Sequence, residues 1–176
     1  MKPFLPILIL ISLLCCSNTT FQSDAITAKV IGIKDGDTIE ILWEGKPQTV
    51  RLLDIDCPEK KQDFGNRAKQ FTASFCFGKT VTLIGHKKDR YKRLLATVLV
   101  GDKNLNEALL NAGMAWHFVK YSNSKYYAAL ETTARNSRLG LWSQNNPTPP
   151  WEFRKRRNIT TIYLKCQTFT EIYSKN

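Results

Sequence analysis

Acidic side chains stand close to basic ones in two short stretches of the sequence, KDGDT at residues 34–38 and RLLDIDCPEK at residues 51–60. Asp37 lies where one strand-like stretch turns into the next, and Asp56 ends a third, so a meander can bring the two carboxylates together. Unscreened carboxylates repel each other, and a hard cation that binds carboxylate, carbonyl and water oxygens resolves this repulsion. The pattern therefore predicts a Ca²⁺ site with Asp37 and Asp56 as ligands.

Two arginines and a glutamate supply the other groups that phosphate chemistry requires. Arg51 and Arg93 each carry a planar guanidinium that can bind two phosphate oxygens and stabilise the extra charge of a pentacoordinate phosphorus. Glu59 follows Asp56 closely, and Pro58 stiffens the chain between them, so the Glu59 carboxylate can orient or deprotonate a water. Each group alone is common in turns and on surfaces, and only the combination indicates attack of water on phosphorus.

Strands are predicted to carry most of these residues. A strand-like pattern runs from Ala25 to about Leu53, with turns at residues 34–38 and 44–46. A helix is expected after Pro58, and the stretches KTVTLIG and RLLATVLVG predict two further strands behind it. The acids and arginines then fall at the ends of strands, where turns can gather them.

Helical spacing predicts three helices. The first ends near Gly78, the second covers LNEALLNAG and the third runs from Ser124 to Arg138. The first helix is expected to bury one face, made of Phe64, Ala68, Phe71 and Phe75. Three strands, a helix, two strands and two helices are typical of a five-stranded barrel of the oligonucleotide-binding (OB) kind. The predicted class is α+β, rich in β-structure, with about three helices packed on the barrel.

The N-terminal sequence MKPFLPILILISLLCC has one lysine and then an apolar run that is too short for a comfortable transmembrane helix. Residues 1–23 are therefore predicted to be a secretory signal. A buried N-terminal helix is disfavoured because Pro3 and Pro6 interrupt it, whereas Cys15 or Cys16 offers an alternative as a lipid-attachment site. We expect a secreted or periplasmic protein, which lipidation would anchor to a membrane.

The rest of the chain is long enough for one domain. We expect that domain at residues 24–143, followed by a basic C-terminal extension at residues 144–176. The formal net charge of +11 favours a polyanion or an anionic membrane surface as partner. The basic run FRKRR in the extension is expected to be a solvated tail or to add nucleic-acid affinity, without a part in the chemistry.

Five motifs resemble, in order and separation, the staphylococcal nuclease (thermonuclease) family over most of residues 26–143: DGDT, RLLDIDCPE, DRYKRLLA, LNEALLNAG and LGLWS. The segment PPWEFRKRR also resembles the one that follows the domain in many secreted bacterial members. The resemblance implies a calcium-dependent endonuclease that hydrolyses phosphodiester bonds of DNA and RNA, prefers single strands and leaves 3′-phosphorylated products. It also implies a monomer without an obligate protein partner.

The same resemblance implies a role for each candidate site residue. The implied calcium ligands are Asp37, Asp56 and the main-chain carbonyl of Cys57. The implied catalytic residues are Arg51, Glu59 and Arg93, and Asp35 would be a nearby acid of lesser role. Tyr91 and Tyr121 match aromatic positions that line the nucleotide site, while Val119 stands where a second such tyrosine is found.

A binding module without catalysis is the alternative, because degenerate members of the family bind nucleic acid on an OB barrel without cutting it. A binder needs a basic groove, whereas clustered acids repel phosphate. The intact set of Asp37, Arg51, Asp56, Glu59 and Arg93 therefore favours the enzyme.

Overall fold

The computed structural model describes residues 25–157 and residue 159, so the predicted signal and most of the predicted extension lie outside the described residues. The strands of this part are, in order, β1 (Ile26–Asp35), β2 (Thr38–Trp43), β3 (Lys46–Leu52), β4 (Ile55–Asp56), β5 (Thr80–Lys88), β6 (Leu94–Val100), β7 (Lys103–Asn104) and β8 (Trp116–His117). Strands β3-β2-β1-β5-β6 form an antiparallel sheet, and a parallel pairing of β6 with β3 closes it into a barrel. The predicted five-stranded OB barrel is confirmed.

Helices cover the outside of the barrel. In chain order they are α1 (Gly65–Cys76), α2 (Leu105–Asn111), α3 (Lys125–Asn136) and α4 over residues 150–157, with a 3₁₀ turn at Gly140–Ser143 before α4. The first three match the predicted helices, whereas α4 was not predicted. Over the residues that are described, no helix combines the length and apolar character needed to cross a membrane.

The strand register gathers charged residues at one end of the barrel. Thr38 of β2 lies opposite Arg51 of β3, which places Asp37 beside that arginine. In the parallel pairing of β3 with β6, Arg51 lies opposite Leu95, and Leu95 follows Arg93 by two residues. Side chains on the inner face, such as Ile39 and Val50, are fully buried and fix this register, because a slip by one residue would turn them outward.

Helix α1 packs on the barrel through small side chains. It buries Ala68, Thr72 and Cys76, whereas Phe71 and Phe75 lie half-buried at the flank. The predicted face of Phe64, Ala68, Phe71 and Phe75 is therefore rotated from the observed one. The reason is close approach, because a Cβ added at Gly36 would lie 2.7 Å from the Cβ of Ala68. Small residues on α1 allow the helix to pack closely against the turn that carries Asp37.

Helix α4 docks on the domain through an aromatic cluster. Trp151 packs edge-on against Trp116, with ring centroids 5.6 Å apart, and stacks on Phe118 at 5.4 Å with an interplanar angle of 8°. Trp116 in turn contacts Trp142 of the 3₁₀ turn at 4.4 Å, and Pro150 is buried. The domain limits stay a prediction, but the packing continues past the predicted boundary at residue 143.

Candidate active site

The Asp37 carboxylate is held in the tight turn between β1 and β2. Its Oδ1 accepts a hydrogen bond from Thr38 Oγ1 at 3.0 Å, and its Oδ2 accepts one from the backbone N–H of Cys57 at 2.6 Å. The Asp37 carbonyl accepts from the backbone N–H of Leu52. Asp37 is 6% exposed, so the turn fixes a nearly buried carboxylate beside the end of β3.

The Asp56 carboxylate is buried in the short pair formed by β4 and β8, where Asp56 lies opposite Trp116. Between β3 and β4 the chain reverses at Asp54, which has a φ of 65°, a left-handed conformation that aspartate tolerates better than most residues. The carbonyl of Asp54 accepts from the N–H of Phe118 and ties this bend to the segment after β8. The bend places Asp56 next to the β3 residue Arg51.

Arg51 lies between the two acids. Its Nη1 is 3.1 Å from Oδ2 of Asp37, and its Nη2 donates to Oδ1 of Asp56 at 2.7 Å. Nη1 also donates to the carbonyls of Leu52 and Ile55, at 3.1 and 3.0 Å. These contacts fix the guanidinium, whose side chain is 12% exposed, and bring together the two carboxylates predicted to be metal ligands.

Arg154 is a further member of the site, although the FRKRR run that contains it was expected to be a solvated tail or to add nucleic-acid affinity. It lies on α4 and donates from Nη2 to Oδ2 of Asp56 at 2.7 Å and from Nη1 to Oε1 of Glu59 at 2.8 Å. The partners are 98 and 95 residues apart in the chain, so only tertiary packing joins them. A sequence signal exists, since Pro149 and Pro150 favour a helix start and Trp151 stands at helical spacing before Arg154.

Two acids of this cluster, Asp35 and Asp56, have raised pKa values, and burial is the main cause in both. Burial raises the pKa of Asp35, and repulsion from Asp37 and Glu59 raises it further. Burial also raises the pKa of Asp56, more than the hydrogen bonds and charges of Arg154 and Arg51 lower it. A bound cation would offset this effect of burial, because a nearby positive charge favours the ionised carboxylate.

Arg93 and Tyr91 lie in the turn that leads into β6. Asp89 organises this turn, because its Oδ1 accepts from the backbone N–H groups of Tyr91 and Arg93 at 2.8 and 3.0 Å. Its Oδ2 is 2.9 Å from Nε and 2.8 Å from Nη2 of Arg93. These bonds lower the pKa of Asp89 although its burial acts in the opposite direction. Arg93 thus faces Asp89 and the Tyr91 ring, 5.4 Å away, just before the strand that pairs with β3.

Tyr121 lies on the side of the site where α4 docks. Tyr121 is 68% exposed. Its ring contacts the ring of Phe118 edge-on at 4.9 Å, and Nζ of Lys120 lies 5.4 Å from the ring centroid. The structure thus brings Asp37, Arg51, Asp56, Cys57 and Glu59 into one cluster. Arg93 and Tyr91 occupy an adjoining turn, and Tyr121 belongs to the aromatic cluster around Trp151.

The donor set of the cluster fits a hard cation. Among the described residues, no group of three or more His, Cys, Asp and Glu side chains could hold a metal ion. Asp37 and Asp56 nevertheless share Arg51 as a neighbour, and a main-chain carbonyl at Cys57 would add a third oxygen without a third side chain. Burial raises the pKa of the Cys57 thiol well above its ordinary value, so its sulfur is a poor metal ligand. Oxygen donors of this kind suit Ca²⁺ and not softer metals.

Comparison with known proteins gives a consistent result. The family model described as "Staphylococcal nuclease homologue" matches residues 49–144. An uncharacterized endonuclease of Escherichia coli O157:H7 is 40% identical over 133 residues, which cover 75% of this chain and 87% of that protein. An uncharacterized endonuclease of Haemophilus influenzae is 38% identical over 144 residues, covering 81% and 80%. A micrococcal nuclease of Shigella flexneri is 38% identical over 145 residues, covering 76% and 83%.

Proposed function

The chain belongs to the staphylococcal nuclease family and is a nuclease, and we propose that it is a calcium-dependent endonuclease acting on DNA and RNA. The proposed reaction is hydrolysis of phosphodiester bonds that leaves 3′-phosphorylated products, with single strands preferred. The family resemblance supports the product and the substrate preference. The acid and arginine cluster at one end of the barrel supports the chemistry.

The position of Arg51 between Asp37 and Asp56 is the observation that carries the proposal. Buried carboxylates destabilise a fold. A protein that only binds nucleic acid gains nothing from them, because acids repel the phosphate backbone. An enzyme that binds a divalent cation beside a phosphate needs such acids and needs an arginine next to them. The cluster therefore favours catalysis over the alternative of an OB module that binds without cutting.

Each residue of the cluster has a proposed role. Glu59 is the most accessible of the three acids, with 28% of its side chain exposed against 1% for Asp56, so it is suited to orient the attacking water and accept its proton. When bound, calcium would be held by Asp37, Asp56 and the carbonyl of Cys57 and would supply positive charge to the phosphoryl group. The water oxygen bonds to phosphorus while the bond from phosphorus to the 5′ oxygen breaks. The 5′ oxygen takes a proton from solvent and leaves as a hydroxyl, so the phosphate stays on the 3′ oxygen.

The arginines are proposed to bind the phosphate. Arg93 is 32% exposed and anchored by Asp89, so its guanidinium can turn toward an incoming phosphate without leaving its turn. Arg51 is fixed by the acids and contributes positive charge at a constant position. Charge that develops on the phosphoryl oxygens in the transition state is stabilised by such preorganised donors more than charge in the ground state.

Cleavage of a labelled single-stranded DNA tests the proposal. We expect fragments in Ca²⁺ and none after addition of a chelator, and we expect Mg²⁺ to substitute poorly because it demands tighter octahedral geometry and keeps its waters. The fragments should resist extension by a polymerase until a phosphatase removes the 3′ phosphate. A mobility shift without fragments in Ca²⁺ would support the binding module, and full activity in chelator would refute the metal assignment.

Secretion is a separate proposal that rests on the apolar N-terminal run of residues 1–23. Expression of the full chain in a bacterial host followed by cell fractionation tests it. A mature N-terminus beyond this segment in the periplasm or medium supports a cleaved signal. Partition into detergent with a lipid-modified Cys15 or Cys16 would support the lipoprotein alternative, and an uncleaved chain in the cytoplasm would contradict both.

A further inference from the structure

The loop that carries Glu59 is tied to the C-terminal segment through its backbone. The side chain of Gln62 accepts a hydrogen bond from the N–H of Glu59 at 3.2 Å through Oε1 and donates through Nε2 to the carbonyl of Thr148. The backbone N–H of Gln62 also donates to the carbonyl of Glu59 at 2.8 Å. Gln62 thus connects the turn of Glu59 to the chain that enters α4.

Arg154 makes a second connection between α4 and this loop, an ion pair with the side chain of Glu59. Its Nη1 lies 2.8 Å from Oε1 of Glu59 and its Nη2 2.7 Å from Oδ2 of Asp56. Burial lowers the pKa of Arg154, but its hydrogen bonds to Asp56 and Glu59 and their charges outweigh this, so its pKa is raised above the ordinary value. A planar guanidinium can hold two carboxylates at a fixed separation, which a point charge cannot do.

We propose that Arg154 is a positioning residue of the nuclease reaction, which holds the carboxylate of Glu59 at a fixed place beside Asp56. The inference rests on the proposed function, because it takes Glu59 as the group that orients the water. A carboxylate on a surface turn samples several rotamers, and misplacing a reacting group by about 1 Å can cost on the order of 100-fold in rate. The C-terminal helix is then part of the active site.

The docking of α4 favours a positioning role over an inhibitory one, in which Arg154 would compete with calcium for Asp56. Trp151, one turn before Arg154, is packed against Trp116 and Phe118, and Trp116 pairs with Asp56 across the short sheet. The helix is therefore fastened to the same strands that carry the acid.

Three variants of the full chain separate these roles. Arg154→Gln removes both the positive charge and the planar guanidinium, whereas Arg154→Lys keeps the charge alone. Lys155→Gln removes one charge from an exposed neighbour on the same helix. The measurements are kcat and KM on single-stranded DNA at saturating Ca²⁺, and Ca²⁺ affinity by calorimetry without substrate. Circular dichroism and thermal unfolding check that each variant folds.

We expect Arg154→Gln to lower kcat by about 10- to 100-fold with KM changed by less than about threefold. Arg154→Lys should recover part of the loss, and Lys155→Gln should keep the wild-type kcat. Calcium affinity of Arg154→Gln should be equal or higher, because a positive charge next to Asp56 is gone. A fall in kcat without weaker calcium binding distinguishes a positioning role from loss of the metal site.

Three results would overturn the inference. One is higher turnover of Arg154→Gln at low Ca²⁺, which would make Arg154 an inhibitory contact, and another is an unchanged kcat. If Arg154→Gln does not fold, the lysine variant decides, and a wild-type kcat for it counts against the proposal. Absence of cleavage by the wild-type protein in Ca²⁺ would instead refute the proposed function, so the two failures are distinguishable.

Discussion

Arg51 donates from Nη2 to Oδ1 of Asp56 across 2.7 Å, and the same guanidinium lies 3.1 Å from Asp37 through Nη1. An acid from the turn between β1 and β2 and an acid from β4 are thereby held around one planar group. The carboxylates do not have to be brought together when a cation or a phosphate arrives, because the fold and the arginine have already done so. Preorganisation of this kind lowers the cost of binding and of charge development in the transition state.

The first prediction concerns calcium affinity of acid variants. Asp37→Asn and Asp56→Asn each remove one of the two carboxylates proposed to bind Ca²⁺. We therefore expect each variant to bind Ca²⁺ about tenfold or more weakly. Asp102→Asn, at an exposed acid in the turn between β6 and β7, is the matched control and should bind calcium as the wild type does. Calorimetry on folded protein measures all three. Wild-type affinity in both site variants would place the cation elsewhere.

The proximity of the two acids could be predicted from the sequence because it depends on local structure. Asp37 and Asp56 belong to one meander, and the alternation of buried residues fixes the register that joins β2 to β3. The pairing of β3 with β6 needs the complete barrel, so the place of Arg93 followed from the family resemblance. Pro149 and Pro150 indicate a helix start before Arg154, but the contact of Arg154 with Asp56 could not be predicted, because it depends on how Trp151 docks, which no local periodicity encodes.

Helix α1 shows a second limit of sequence patterns. Large apolar residues at helical spacing, Phe71 and Phe75 among them, favour a face that the structure leaves at the flank. The buried centre holds Ala68 and Thr72, because the distance between helix and barrel is set by close contact at Gly36. A periodic pattern identifies a helix and its approximate orientation, but steric contact selects the residues that pack deepest.

The second prediction concerns this contact. In Gly36→Ala the new Cβ would lie 2.7 Å from the Cβ of Ala68 and 2.9 Å from the Cβ of Cys57, so the turn that carries Asp37 must shift. We expect a loss of about 1 to 3 kcal/mol in the free energy of unfolding by urea and reduced turnover. The double variant with Ala68→Gly should lose less than the sum of the two single changes, since one contact is relieved. Wild-type stability of Gly36→Ala would show that the turn is looser than described.

The third prediction concerns the thiol beside the site. Burial raises the pKa of Cys57 well above its ordinary value, and the Asp37 carboxylate raises it further, so the thiol stays protonated at pH 8 and reacts slowly. We expect iodoacetamide to leave Cys57 unmodified in the folded protein and to modify it in guanidinium chloride, as followed by mass spectrometry of the peptide. Cys76, whose pKa is raised by burial to about 11, should behave alike. Fast labelling of Cys57 in the folded state would contradict the described burial.

The fourth prediction separates an enzyme from a binding module. Glu59→Gln keeps an oxygen that can accept from Arg154 but removes the proton acceptor, so an enzyme should lose about 10² to 10⁴ in turnover with nucleic-acid binding little changed. Arg93→Lys keeps the positive charge but loses the planar guanidinium, which can bind two oxygens of Asp89 or of a phosphate. Turnover should therefore fall by about 10² or more. Glu44→Gln and Arg138→Lys, at exposed positions, are the matched controls and should cut at the wild-type rate.

Equilibrium binding to single-stranded DNA in Ca²⁺ completes the fourth prediction, with circular dichroism to confirm folding. A binding module has no turnover to lose, and Glu59→Gln would then bind slightly more tightly, because an acid that repels phosphate is gone. Arg93→Lys would change the affinity of such a module only a little, since the charge is kept. An enzyme shows the opposite pattern, with turnover lost and affinity kept, because both side chains act mainly on the transition state. If both variants fold and cut DNA as fast as their controls, the catalytic roles assigned to Glu59 and Arg93 are wrong.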